Sequence, residues 1–133
     1  MSSVNKAILL GNVGKDPEVR TTQDGTKVVS FSLATSDRWR DKSSGEQRER
    51  TEWHRVVIFN ENLAKVAEQY VRKGSSLYIE GAIQTREWEK DGIKRYSTEI
   101  VLQKFRGELA LLGGKPDSGS RDDDGGYGGG YGQ

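Results

Sequence analysis

Lys27-Val28-Val29-Ser30-Phe31-Ser32-Leu33-Ala34-Thr35-Ser36 is the stretch that decides the fold class. Val29, Phe31, Leu33 and Thr35 fall on one side of it, and Ser30, Ser32, Ala34 and Ser36 on the other. Alternation with a period of two, apolar against small and polar, describes a β-strand with one buried face. Just before it, Gln23-Asp24-Gly25-Thr26 supplies a hairpin turn. Further upstream, the aliphatic residues 5–13 predict a strand that runs into the turn signal Gly14-Lys15-Asp16-Pro17.

Strand-like text continues downstream. Residues 37–50 hold five basic residues and one tryptophan but no core-forming run, which predicts a long exposed hairpin or loop. Residues 51–59 alternate Trp53, Arg55, Val57 and Phe59 with His54, Val56 and Ile58. One segment alone has a helical period: Leu63, Val66, Ala67, Tyr70 and Val71 follow i, i+3, i+4, i+7, i+8. Asn60 or Asn62 is placed to cap its start, and Arg72-Lys73-Gly74 to close its end. Two more strands follow, over residues 76–88 and 93–103, joined by a turn at Glu89-Lys90-Asp91-Gly92. In the first of them Ile79, Gly81 and Ile83 face one way, and Tyr78, Glu80, Gln84, Arg86 and Trp88 the other. A short apolar segment at residues 109–112 closes the body. Three strands, one short helix and two strands is the order of an all-β domain of the OB-fold type, a five-stranded Greek-key barrel.

Composition sets the limits of this domain. Of the 133 residues, the last 21 hold 9 of the 17 glycines and only two apolar residues, Tyr127 and Tyr131. Such a segment cannot bury enough surface to offset its chain entropy. The expected organisation is therefore a folded domain over residues 1–112 and a disordered, Gly-rich acidic tail over 113–133. The body carries 19 Lys/Arg against 16 Asp/Glu, and the tail 2 against 4. A mildly basic body with an acidic appendage suits a polyanionic partner. The Asp122-Asp123-Asp124 run, in a glycine-rich setting without fixed geometry, reads as a solvated tail and not as metal ligation.

Several function classes drop out. There is no cysteine, and hence no disulfide, thiolate metal site or cysteine nucleophile, and a single histidine rules out a multi-histidine zinc site. The longest apolar runs, such as Ala7-Ile8-Leu9-Leu10 and Val56-Val57-Ile58-Phe59, are four residues long, against the roughly 18 needed to span a bilayer. The opening Met-Ser-Ser-Val-Asn-Lys lacks the apolar core of a secretory signal, so a cytoplasmic protein without membrane attachment is expected. No GxxxxGK[ST] or GxSxG motif occurs, no residues suggest a metal or other cofactor, and no set suggests an enzyme. Gly11-Asn12-Val13-Gly14 matches the GXXG loop of KH domains in letters, but the helices that such a loop needs are absent around it, so a turn is expected there.

What remains is a set of aromatic residues among cations outside the core pattern. Trp39 lies between Arg38 and Arg40 with Lys42 close by. Trp53 shares a strand face with Arg55 and Phe59, and Trp88 shares one with Arg86. Single-stranded nucleic acid offers unpaired π-faces along a charged backbone, and flat aromatics beside Lys or Arg are the side chains that hold it. Three stacked bases at about 1–3 kcal/mol each reach roughly 3–9 kcal/mol before phosphate contacts are added. The rival reading of those rings is as ordinary core residues. His54, without a visible carboxylate or nucleophile partner, reads as structural.

The same residues resemble a known family, the bacterial single-stranded DNA-binding proteins, over residues 4–114. The resemblance is carried by Leu10-Gly11-Asn12-Val13-Gly14 with Asp16-Pro17-Glu18-Val19-Arg20, and by Leu33-Ala34-Thr35-Ser36 with Trp39-Arg40-Asp41-Lys42. Thr51-Glu52-Trp53-His54-Arg55-Val56-Val57, Tyr70-Val71-Arg72-Lys73-Gly74-Ser75 and Tyr78-Ile79-Glu80-Gly81 with Thr85-Arg86 and Trp88 complete it. It implies base stacking on Trp39, Trp53, Trp88 and Phe59, and a strand path lined by Lys42, Arg55, Arg72, Lys73 and Arg86. It further implies a homotetramer with His54 and Tyr78 at contacts between protomers, and largely sequence-independent binding of single-stranded DNA. Family members usually recruit replication, recombination and repair enzymes through an acidic and apolar C-terminal tip, whereas this sequence runs from Asp124 to Tyr127-Gly128-Gly129-Gly130-Tyr131-Gly132-Gln133. Against these expectations stand an RNA-binding OB domain, a protein-interaction module that uses the aromatic face, and an OB-fold nuclease.

Overall fold

A computed structural model describes residues 2–112. The segment expected to form the acidic tail lies outside the described residues. The elements are β1 (Ala7–Val13), β2 (Glu18–Thr21), β3 (Lys27–Arg40), β4 (Gln47–Ile58), α1 (Glu61–Tyr70), β5 (Ser76–Lys90), β6 (Ile93–Leu102) and β7 (Glu108–Leu112).

Strand pairing closes a five-stranded barrel in the order β1-β3-β4-β6-β5, with β5 returning to β1. All of these ladders are antiparallel except β4 with β6, which run parallel through Arg55↔Glu99 to Ile58↔Leu102. A parallel pair needs a crossover, and α1 lies in it, packed against β3 and β4. Around Gly81, β5 changes partners, pairing with β1 up to Gly81 and with β6 from Ala82 onward. A Cβ at Gly81 would stand 2.8 Å from the Val101 carbonyl oxygen, so only glycine lets the two backbones approach there.

The alternation that announced β3 is what builds the core. Val29, Phe31 and Leu33 are buried together with Val56 and Ile58 of β4, Leu77 and Ile79 of β5, and Ile100 and Leu102 of β6. Ala64, Ala67 and Val71 plug the same cluster from the helix side. Asn60 caps the helix, its Oδ1 accepting from the Leu63 N–H at 3.2 Å. The helix end differs from expectation. Val71 leaves in an extended conformation to bury its side chain, and Gly74 serves a separate turn at φ 90°, its N–H donating to the Val13 carbonyl at 2.8 Å.

Three further differences have local causes. Residues 37–50 form a hairpin, as one of the two expected forms, but β3 and β4 run through most of it and leave only Asp41 to Glu46 as the turn. The turn is internally bonded: Asp41 accepts from the Ser43 N–H and hydroxyl, which hold its carboxyl below the usual range, and the Arg40 Nη1 donates to the Gly45 carbonyl. β2 and β7 lie outside the barrel, on β3 and β5. β2 is exposed at all four positions, so its pattern shows no buried side. Gly11, Asn12 and Val13, which fall both in the strand expected over residues 5–13 and in the turn expected at the GXXG match, belong to β1. No helix among the described residues is long and apolar enough to cross a membrane.

Candidate nucleic-acid interface

Cross-strand partners point to the same side of a sheet, so the register fixes which side chains share the barrel's outer surface. On β3 and β4, Ser32 lies opposite Arg55 and Ala34 opposite Trp53. Arg55 in turn lies beside Glu99 on β6, and Gln84 opposite Glu99 on β5. Two steps further along β5 come Arg86 and then Trp88, opposite Ser97 and Arg95. Trp53, Arg55, Glu99, Arg86 and Trp88 therefore lie on one outward face that spans β4, β6 and β5. Phe59 continues the outward row of β4 just past its end, roughly 20 Å from Trp53 at the rise of a β-strand.

All the expected aromatic rings are open to solvent: Trp53 is 61% exposed, Trp39 47%, Trp88 40% and Phe59 38%. The reading of these rings as core residues is thereby excluded. Two are braced by neighbours. Gly14, just past β1, abuts the flat edge of the Trp53 indole, since a Cβ on that residue would stand 2.5 Å from the ring. Arg95 lies over the Trp88 ring, its guanidinium carbon 5.9 Å from the centroid. Trp39 is placed differently. It pairs with Arg48 near the hairpin tip, on the opposite side of the β3–β4 ribbon from Trp53.

The cations fall into two groups. Arg55 and Arg86 converge on one buried carboxylate: Arg86 Nη2 donates to Glu99 Oε2 at 3.0 Å, and Arg55 Nε lies 3.3 Å from the same oxygen. The Arg55 Nε approaches at an angle that makes no hydrogen bond, so its attachment is by charge. The trio keeps a net charge of one positive unit and fixes two long side chains that would otherwise lose rotamer freedom on binding an anion. Lys42, in contrast, is exposed in the hairpin turn. The Arg72 guanidinium is committed to the Glu68 and Val71 carbonyls at 3.0 and 2.7 Å. The Lys73 backbone N–H donates to Asp16 Oδ1 at 2.8 Å, which ties its turn to the residues beyond Gly14.

His54 and Tyr78 stand apart from this face. His54 points to the inner side of β4, half-buried, with Nε2 2.9 Å from the Thr35 hydroxyl. Tyr78 lies outward on β5, its hydroxyl donating to Glu80 at 2.5 Å, while Lys6 pairs with the same carboxylate at 2.9 Å. The Tyr78 and Lys6 bonds hold the Glu80 carboxyl below its usual range, and Glu80 in turn raises Tyr78 and Lys6. Around this network the outer surface of β1 and β7 is apolar and open, with Ile8, Leu10 and Leu112 exposed.

Sequence reasoning passed over Gly14, Arg95 and Glu99. Glu99 left one signal, a carboxylate on the outward side of an otherwise apolar strand end. Among the described residues no group of three or more His, Asp or Glu could hold a metal ion.

The sequence pattern of the Single-strand binding protein family matches residues 4–107. The chain belongs to that family. It is 58% identical over 132 residues to the single-stranded DNA-binding protein of Rhizobium meliloti, covering 98% of this chain and 71% of the relative. It is 54% identical over 124 residues to that of Rickettsia felis, covering 92% and 82%. Among solved structures, the Plasmodium falciparum SSB in complex with ssDNA superimposes with a TM-score of 0.78 at 37% identity, over 85% of this chain and 98% of that one. The family's fold is the barrel described above.

Proposed function

We propose that this protein binds and protects single-stranded DNA without regard to sequence, and does so without catalysis. The observation that carries the proposal is the outward face on which the open rings of Trp53 and Trp88 flank the Arg55–Glu99–Arg86 cluster. Bases stack on the indoles, and on Phe59 further along, because a nucleobase and a flat ring both lose unfavourable contact with water when they meet. Phosphates are held by Arg55 and Arg86, which Glu99 pre-positions, with Lys42, Lys73 and Arg72 extending the positive path. Trp39 takes bases at the hairpin, on the other side of the ribbon. Bound bases cannot re-pair and the covered backbone is shielded from nucleases, which serves DNA replication, recombination and repair in the cytoplasm, at the nucleoid. The relatives named single-stranded DNA-binding proteins, and the solved complex with ssDNA, support the same ligand.

Assembly into a homotetramer is part of the proposal. Ile8 and Leu10, 57% and 60% exposed beside Tyr78 and Leu112, form an apolar surface of the kind that marks contacts between copies. Tyr78, with its bond to Glu80, lies within that surface, and His54 is assigned to a second contact. Replication, recombination and repair enzymes are partners where an acidic and apolar C-terminal tip is present.

Fluorescence anisotropy of labelled oligo-dT, oligo-U and duplex DNA tests the function. Oligo-dT is expected to bind most tightly, with a log–log salt slope of about −0.7 per phosphate neutralised. Equal affinity for the duplex would refute the stacking mechanism, and tighter binding of oligo-U would make RNA the ligand.

A further inference from the structure

The loop between β6 and β7 carries the most exposed large apolar side chain of the described residues, Phe105, at 96%. Its backbone lies at φ 64°, in the left-handed region that a bulky residue enters only at a cost. The loop is nonetheless tied down. The Arg106 N–H donates to the Gln103 carbonyl at 3.0 Å, and the Asn60 side-chain amide to the Arg106 carbonyl at 3.0 Å. Gly107, at φ 94°, lets Leu102 pack against its backbone. A strained backbone that is bonded in place around an unpacked ring is a feature to explain by use, since no side chain among the described residues packs over that ring to repay it.

What surrounds the ring indicates the use. Its sequence neighbours are Lys104 and Arg106, the pairing of aromatic and cation found at Trp39 and Trp88. Neither cation enters an ion pair within 4.0 Å among the described residues. The loop also adjoins the end of the aromatic row on β4, because the Phe59 and Asn60 N–H groups both donate to the Leu102 carbonyl, at 2.8 and 3.2 Å. Lys104 lines the groove that holds Phe59 and also the one that holds Phe105. Two carboxylates share those two grooves, and neither pairs with Lys104. Asp24 accepts from the Thr22 hydroxyl and the Thr26 N–H in its own turn, and Glu61 sits in the first turn of α1, where the helix dipole favours it.

We propose that Phe105, between Lys104 and Arg106, is a further stacking platform for single-stranded DNA and takes a base beyond the one on Phe59. The proposal rests on the single-strand-binding reading and extends its path to the β6–β7 loop. A protein partner suits the site less well, since the two grooves that Phe105 lines alternate apolar with polar and charged groups, Asn60, Glu61 and Asn62 in one and Val4, Ala82 and Val101 beside Lys6, Glu80 and Glu108 in the other, and offer no continuous apolar surface.

The test uses the full chain and a length series of oligo-dT. Short oligomers, covered by Trp53 and Trp88 alone, bind Phe105→Ala and the unaltered protein equally. Longer ones bind Phe105→Ala about 5- to 10-fold more weakly, the lower end of the stacking range. Phe105→Trp restores the affinity, and ultraviolet crosslinking of oligo-dT labels the peptide that contains Phe105. Phe105→Gly, which relieves the backbone strain, melts no lower than the unaltered chain, so lost binding is not lost folding. Equal affinity of Phe105→Ala at every length, with no crosslink at the loop, overturns the proposal. So does a fall in assembly mass of Phe105→Ala by light scattering, which would make the ring a contact between copies. If the unaltered chain ignores oligo-dT altogether, the failure lies in the reading of the Trp53 face, and the platform falls with it.

Discussion

Gly14→Ala separates binding from folding at a single methyl group. The Gly14 backbone lies outside the left-handed region, so alanine can adopt it without strain. The obstacle is the Trp53 indole: a Cβ would stand 2.5 and 2.8 Å from two of its ring carbons. Carbon pairs rest at roughly 3.5–4.0 Å, so the ring must move by about 1 Å. Because Trp53 is largely exposed, it can move without disturbing the core, and the loss of glycine's freedom in the unfolded chain stabilises the fold by up to about 1 kcal/mol. The displaced ring no longer lies where the bound strand needs it. A platform worth about 1–3 kcal/mol then loses a sizeable part of its contribution, about 1 kcal/mol or a fivefold weaker Kd for oligo-dT. The assay is a double-mutant cycle of Gly14→Ala and Trp53→Ala, with thermal melts alongside. The expected result is an unchanged or slightly raised Tm, and a binding penalty that vanishes once Trp53 is already alanine. If the penalty is as large in the Trp53→Ala background, Gly14 does not act through the indole and the reasoning fails.

Trp53→Ala and Trp88→Ala should each weaken oligo-dT binding by about 1–3 kcal/mol while melting close to the unaltered protein; loss of the folded circular dichroism spectrum in either would show that the ring is needed for the fold. Glu99→Gln removes a negative charge roughly 7 Å from a phosphate held by its arginines, worth about 0.6 kcal/mol at the dielectric of water. Titrations should therefore show about threefold tighter binding at low salt that disappears at high salt, and weaker binding at all salt concentrations would mean that positioning of Arg55 and Arg86 outweighs charge. Glu80, held below its usual range by Tyr78 and Lys6, contributes stability above the ordinary glutamate value of about 4, which is lost as pH falls through its lowered folded value. Acid melts of Glu80→Gln should accordingly lose less stability than those of the unaltered protein over that range, and identical pH profiles would contradict the coupling. Leu10→Glu should lower the assembly mass in light scattering, whereas an unchanged mass would remove β1 from the contact between copies.

How much of this was legible depends on whether a feature leaves a periodic trace. β3 could be read because Val29, Phe31 and Leu33 alternate with small polar residues, and α1 because its apolar residues recur at helical spacing. β2 could not, since all four of its residues are exposed and carry no pattern. The length of the β3–β4 hairpin was hidden for the same reason: beyond the barrel both sides of the ribbon face water, and the hydrophobic signal stops while the hydrogen-bond ladder continues. Closure of the barrel through the parallel β4–β6 pair depends on residues more than forty positions apart (Arg55 and Glu99) and has no local signature. The aromatic candidates were legible by composition, as flat rings beside cations. Their grouping was not. Register alone places Trp53 with Trp88 and sets Trp39 across the ribbon, and only the folded chain brings Arg55 and Arg86 onto Glu99 or Gly14 against the Trp53 ring.

Intrinsic tryptophan fluorescence, followed while oligo-dT and a duplex of the same length are added to the full chain, tests the central claim most directly. Stacking of bases on Trp39, Trp53 and Trp88 predicts strong quenching that saturates with oligo-dT, is reversed by salt, and is weak with the duplex. Fluorescence that stays constant as oligo-dT is added, at low salt and at protein concentrations where the relatives' ligand would be bound, would contradict it.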